Sequence, residues 1–300
     1  MKTLKVLIRR NVKLFFKDKG MFFTALITPA ILLVLYATFL GNVYRDSFLS
    51  ALPPELMLDE KIIDGCVGGQ LISSILAVSC VTVAFCSNML MVQDRANGTV
   101  RDLTVSPVKA HTLSLGYYCA TLISTLIVCL VATVVCLGYV ATVGWYMTLS
   151  DVLFLLLDVL LLVMFGTALS SVINFFLSTQ GQISAVGSII SSTYGFICGA
   201  YMPISSFSAG LRNVLSFFPG TYGTALVRNH ALQSVCKEIT AQGFPPEALE
   251  GILTVSDCNL KFFGHSVEIW QMYLVLAGAL ALLVGGYILL NIWSEKRKTK

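Results

Sequence analysis

Charged side chains are few in this sequence, and their positions are the first guide to its chemistry. The segment 93–109 is dense in both signs of charge, with Asp94, Arg95, Arg101, Asp102 and Lys109 between two apolar runs. Both signs sit there within a few residues, which suits ion pairing with a partner surface better than bond-breaking chemistry. Asn97-Gly98 is a turn signal, and Thr99 to Val105 has room for one or two helical turns before Pro107, which disfavours helix just ahead of it. A short charged helix projecting from a larger body is the expectation; a solvated connecting loop is the plainer alternative.

Catalytic and metal-binding patterns do not emerge elsewhere. No G-x-x-x-x-G-K-[ST] run occurs, so the chain has no P-loop of its own. His111, His230 and His265 are scattered, and no Ser-His-Asp arrangement can be assigned. The nine cysteines show neither zinc spacing nor Cys-x-x-Cys. Most lie in apolar runs and read as small apolar fillers, while Cys236 and Cys258 share one loop and could pair in an oxidising compartment. No bound metal, no bound cofactor and no nucleic-acid partner are expected. Asp158 stands alone well inside an apolar run, seven residues past Asp151 or roughly 10 Å along a helix. A carboxylate at such depth is costly and often functional. A bonded carboxylate near the membrane surface is the alternative, and with no evident basic partner at its depth a proton relay is not supported.

The elements that position these residues follow from hydropathy. Of 300 residues 56% are hydrophobic and only 12% charged, about half the charge of a soluble domain. Lipid must therefore be the solvent for much of the surface. A bilayer-crossing helix needs about 20 mostly apolar residues. Six stretches qualify, at roughly 21–41, 70–92, 113–140, 152–174, 183–201 and 270–293. The third is long and would tilt or project; Pro29 could kink the first. No cleavage site follows the first run at a suitable distance, so it reads as a retained helix. No internal repeat is evident, and an inverted-repeat transporter is not indicated. The expectation is an all-α integral membrane protein with a single domain over 1–300.

Lysine and arginine near span ends set orientation. Lys2, Lys5, Arg9, Arg10, Lys13, Lys17 and Lys19 precede the first span, and Lys296, Arg297, Lys298 and Lys300 follow the last. Both termini are expected in the cytoplasm, with 93–109 on the same side, and 42–69 and 202–269 outside. Leu4, Leu7, Ile8, Val12, Phe15 and Phe16 recur at helical spacing among the N-terminal cations. That pattern predicts an amphipathic helix on the inner leaflet over 1–20; a plain basic flank would orient the first span equally well.

After the fifth span, Phe207, Leu211, Val214, Leu215 and Phe218 have helical spacing over a stretch too short to cross. Pro219-Gly220 and a second stretch, Thr221 to Gln233, follow. Non-helical backbone at membrane depth must be buried in protein or face water, so a re-entrant pair, an interfacial cap and an ordinary external loop all remain open. In the fifth span Gly187, Ser191, Gly195 and Gly199 fall every four residues, a ridge that lets helices approach closely. It serves either packing within the chain or a subunit interface.

Asp94-Arg95, then Gly98-Thr99, Leu103 and Pro107, resemble in order the segment between the second and third spans of ABC-2-type permeases, the membrane subunits of ABC exporters. The amphipathic N-terminus, the six runs and the 201–233 segment match too, so the resemblance covers most of the chain. The family often has glutamates ahead of the glycine, where Gln93 and Asp94 stand here. The resemblance implies that Asp94, Arg95, Gly98, Thr99, Arg101, Asp102, Leu103 and Pro107 form the coupling helix that contacts the ATPase. It implies outer-leaflet re-entrant helices marked by Pro203, Pro219 and Arg228. It also implies that the second and fifth spans line a cavity between two half-units. Ser73, Ser74, Asn88, Ser188, Ser191, Ser192 and Tyr194 are then candidate lining residues, with Gly187, Gly195 and Gly199 as candidate interface. The implied partners are membrane lipid, two copies of a P-loop ATPase that carries ATP and Mg, and a second permease half-unit, identical or paralogous. The implied function is export of a hydrophobic or amphiphilic substrate (a drug, toxin, lipid-like compound or peptide) across the plasma membrane, with no catalytic site in this chain. A lipid-linked glycan or polysaccharide export permease and a polytopic enzyme acting on lipid are the alternatives.

Overall fold

The computed structural model describes residues 2–50, 59–105 and 108–298, without the side chains of Arg101, Thr104 and residues 295–298. Twelve helices and one small hairpin are present among them. Helix α1 (Lys2–Lys17) turns at Asp18, whose carboxylate accepts from the Met21 N–H and caps α2 (Lys19–Leu35). A π-helical turn at Tyr36–Leu40 joins α2 to α3 (Gly41–Ser50) without a break. Then come α4 (Glu60–Ala96), α5 (Thr99–Val105), α6 (Ala110–Val143), α7 (Leu149–Phe175) and α8 (Gln180–Ile197). A 3-10 turn (Ile204–Ser206) leads to α9 (Ala209–Leu215), α10 (Pro219–Ala241) and α11 (Pro246–Val255). The antiparallel hairpin β1 (Lys261–Phe262) and β2 (His265–Ser266) precedes α12 (Ile269–Lys298).

Among the described residues five helices are long and apolar enough to cross a bilayer: Lys19–Ser50, Glu60–Ala96, Ala110–Val143, Leu149–Phe175 and Ile269–Ser294. This is a multi-pass membrane protein. The fifth predicted run, 183–201, corresponds to α8, whose 18 residues reach about 27 Å and carry Ser, Thr, Gly or Gln in nearly every turn.

Helix α4 is the axis of the bundle. It packs against α2, α6, α7, α8 and α10, and its side chains are buried from Leu71 to Asn88 without interruption. Small residues permit this. A Cβ on Gly166 of α7 would stand 2.7 Å from the Cys80 carbonyl oxygen, so only glycine lets these backbones meet.

The largest departure from the sequence reading lies in 202–269. The first expected short helix, 207–218, is only the seven residues of α9, and Pro203 caps a 3-10 turn. The second runs on to Ala241, with Pro219 in its first turn, where its missing N–H costs nothing. Helix α10 lies among α4, α7 and α12, inside the bundle, and is not part of a simple external loop.

Candidate functional site

At the end of the bundle that carries α5, the N–H-rich start of α5 follows a turn made by Gly98 at φ +78°. Nothing would obstruct a Cβ there, so the glycine is required by backbone conformation alone. Val100 and Leu103 pack partly buried into a cluster with Leu7 and Phe15 of α1, Met91 of α4, and Leu113 and Tyr117 of α6. Asp102 is exposed, and Val105 is 88% exposed. Helix α5 thus rests on the bundle by one face and presents the other outward. Pro107 and the side chain of Arg101 lie outside what the structure describes.

Asp94 and Arg95 do not extend that outward face. Asp94 is 7% exposed and takes Arg10 Nη1 at 2.7 Å and the Tyr117 hydroxyl at 2.5 Å. It binds α1 and α6 to the end of α4. The bond to Asp94 raises the Arg10 guanidinium above its ordinary value. Arg95 Nη1 donates to the carbonyls of Phe175 (2.8 Å), Leu177 (3.3 Å) and Asn174 (3.4 Å), and its guanidinium lies 5.5 Å from the Phe175 ring centroid. These are open carbonyls at the negative end of α7, where a cation is favoured. The two charges expected to face an ATPase are therefore internal fastenings that fix where α5 starts.

Deeper in the bundle, α10 carries charged and polar groups into the core. Arg228 is 1% exposed. Its Nε donates to Ser73 Oγ at 3.3 Å, its Nη2 to the Gly199 carbonyl at 2.9 Å, and its Nη1 lies 3.6 Å from Asp257 Oδ2. Asp257 also accepts from the backbone N–H groups of Ile204 and, at 3.0 Å, Ser205. Burial pushes the Asp257 carboxyl above the ordinary carboxylate range, while Arg228 and those N–H groups draw it back. Two residues along, His230 Nδ1 is 2.6 Å from Asp158 Oδ2, and the Tyr273 hydroxyl donates to Asp158 Oδ1 at 2.6 Å. Asp158 is fully buried, so its missing partner is His230, supplied by a helix far away in sequence. Ser234 bonds Asp151 one turn further on.

The remaining expected sites divide. Ser73, Ser74 and Asn88 line no open cavity. Ser73 holds Arg228, Ser74 accepts from the Tyr36 hydroxyl at 2.8 Å, and Asn88 donates to Ser170 and Ser171 at 3.1 and 3.0 Å. The ridge on α8 packs within the chain. A Cβ on Gly187 would come 2.6 Å from Met89 Cε, one on Gly195 would enter the Tyr201 ring, and Tyr194 is buried beside Gly220. Gly199 turns the chain at φ +74°. Ser191 is half-buried and its carbonyl accepts from Tyr201, whereas Ser188 and Ser192 are exposed on the far face of α8. Cys236 and Cys258 are both free thiols, not a disulfide, and burial pushes Cys258 up to about 11. Among the described residues no cluster of three or more His, Cys, Asp or Glu could hold a metal ion.

Residues 2–231 match the family described as ABC-2 type transporter. No curated protein and no solved structure matches the chain.

Proposed function

The chain belongs to the ABC-2 type transporter family, whose permeases work with an ATP-binding subunit, and on that premise we propose that it is the membrane subunit of an ATP-driven exporter. The observation that carries the reading is α5. It is a short helix seated on the bundle through Val100 and Leu103 and fixed at its root by Asp94 and Arg95, with Asp102 and Val105 left open for a partner.

In this reading α8 crosses as the fifth of six spans, and both termini and α5 lie in the cytoplasm of a cell whose plasma membrane holds the chain. The cations of α1 and of the tail support that side. Two P-loop ATPases supply ATP and Mg, and this chain has no catalytic role. A second half-unit packs along α8, whose exposed Ser184, Ser188, Ser192 and Thr193 make a hydroxyl-bearing face poorly suited to lipid and well suited to another helix or a water-filled path. Closure of the ATPases shifts α5, and the shift is transmitted through α1, α4 and α6 at Asp94. ATP drives the change only by binding more tightly to one state than the other. The small number of charges on the exposed helix faces fits a hydrophobic or amphiphilic cargo moved outward.

The test is co-purification in mild detergent with mass spectrometry of bound proteins. A P-loop ATPase should accompany the native chain and be lost from Asp102→Arg/Val105→Asp, whose changes lie on the open face. Retention of the ATPase by that variant, or its absence from the native preparation, overturns the proposal.

A further inference from the structure

Beyond the ATPase-coupling end, the opposite end of the molecule holds a cavity of about 360 Å³ walled by α9, the start of α10, the end of α11 and the β1–β2 hairpin. That volume falls within the range of small-ligand sites, roughly 300–1,000 Å³. Arg212 and Lys261 line it, and neither makes a side-chain hydrogen bond or ion pair among the described residues. Asn213 and Asn259 add amide groups to the wall. The acid in the wall, Asp257, is already matched by Arg228 at 3.6 Å and by two backbone N–H groups. The cavity therefore carries two uncompensated positive charges and amide donors, the complement of a phosphate or carboxylate.

Its rim has a second character. Phe263 lines the cavity and belongs to an exposed aromatic cluster with Phe217 and Phe262. The ring centroids lie 4.9 Å (Phe262–Phe263), 5.4 Å (Phe217–Phe262) and 5.8 Å (Phe217–Phe263) apart. The hairpin ends at Ser266, three residues before the apolar helix α12 begins at Ile269, with Trp270 exposed in its first turn. Tryptophan at the start of a spanning helix marks the headgroup level of a bilayer. Cationic pocket, aromatic rim and bilayer boundary thus coincide.

We propose that this cavity binds an amphiphile of the outer leaflet by its anionic headgroup. The phosphate or carboxylate sits against Arg212 and Lys261, and the first part of the tail lies on Phe217, Phe262 and Phe263. The outer placement rests on the orientation given above; the binding itself does not. Orientation is checked separately by labelling Lys261→Cys in intact cells with a membrane-impermeant maleimide, against the unsubstituted chain.

Binding is measured on the full chain in detergent by native mass spectrometry, titrating phosphatidylglycerol and phosphatidylcholine of equal acyl length. Phosphatidylglycerol is expected to bind at least tenfold more tightly. Arg212→Gln/Lys261→Gln should erase the preference with the thermal midpoint unchanged, since both side chains are exposed. Lys261→Gln alone should reduce it, and Phe262→Ser should weaken both lipids. Equal binding of the two lipids, or a preference that survives the double variant, overturns the proposal. So does glycerol phosphate binding as tightly as phosphatidylglycerol, because the site would then be one for a free anion. A site that binds but is not labelled from outside leaves the anionic-headgroup binding standing and overturns the outer-leaflet placement together with the orientation.

Discussion

The Ala96 end of α4 and the interior around α10 hold charge in opposite ways. Near Ala96, Arg10 and Arg95 are half-buried and reach Asp94 and the last carbonyls of α7 from the surface. In the interior around α10, Arg228 and Asp257 are 1% and 4% exposed, and Asp158 is fully buried against His230. A half-buried guanidinium can exchange protein partners for water at less cost than a fully buried one. A buried charge that loses its partner is stranded in a medium of low dielectric. The α5 end is therefore built to shift and the α10 end to stay fixed. In the proposed function the first serves as the movable connection to the ATPase and the second as the rigid body.

Breaking the fixed end should have the largest effect. Arg228→Ala leaves Asp257 buried without its cation, and a loss of about 3–5 kcal/mol is expected. Arg228→Met/Asp257→Leu should recover much of it, because an apolar pair has no charge to strand. Unfolding in detergent reads both, and equal stability of Arg228→Ala and the native chain would abolish the contrast. His230→Ala comes next. It removes one of the two partners of Asp158 at a cost of about 1–3 kcal/mol, seen in the same assay, while Asp158→Asn in that background should recover part.

At the movable end, Asp94→Ala should cost less, about 1–2 kcal/mol, because the half-buried Arg10 can turn toward solvent. The transport rate should fall more than stability does, since α1, α4 and α6 lose their common fastening. A variant with lower stability and full transport would count against transmission through Asp94. The smallest stability effect belongs to Asp102→Ala, within about 0.5 kcal/mol of native, as expected for an exposed side chain with its role in a partner's surface. The informative readout there is ATPase co-purification, which should weaken.

Much of the helical layout was legible because its signals are local. The apolar runs at 113–140, 152–174 and 270–293 fall inside α6, α7 and α12 with short extensions, and Thr99 to Val105 forms the helix that Asn97-Gly98 and Pro107 bracket. Asp94 and Arg95 were visible as a pair, but not their partners. Arg10 looked like one cation among many on α1, and no pattern in a sequence marks the end of α7 as the acceptor for Arg95. Helix α10 was underestimated because Arg228, Asn229 and His230 break its hydropathy. A signal existed in the matching acids, Asp158 and Asp257, yet nothing short of the fold pairs them with α10.

The sequence by itself determined that this chain lives in a membrane, where its main apolar helices lie, and that Thr99 to Val105 forms a short helix. Those follow from runs of apolar residues, turn residues and cations, each readable within about 20 positions. Only the tertiary structure decided which charges face a partner and which hold the bundle together. It placed a polar helix in the core and gathered Arg212, Lys261 and the phenylalanines around one cavity. The energy of a charge depends on what lies within a few ångströms of it, and in this fold those neighbours come from tens of residues away.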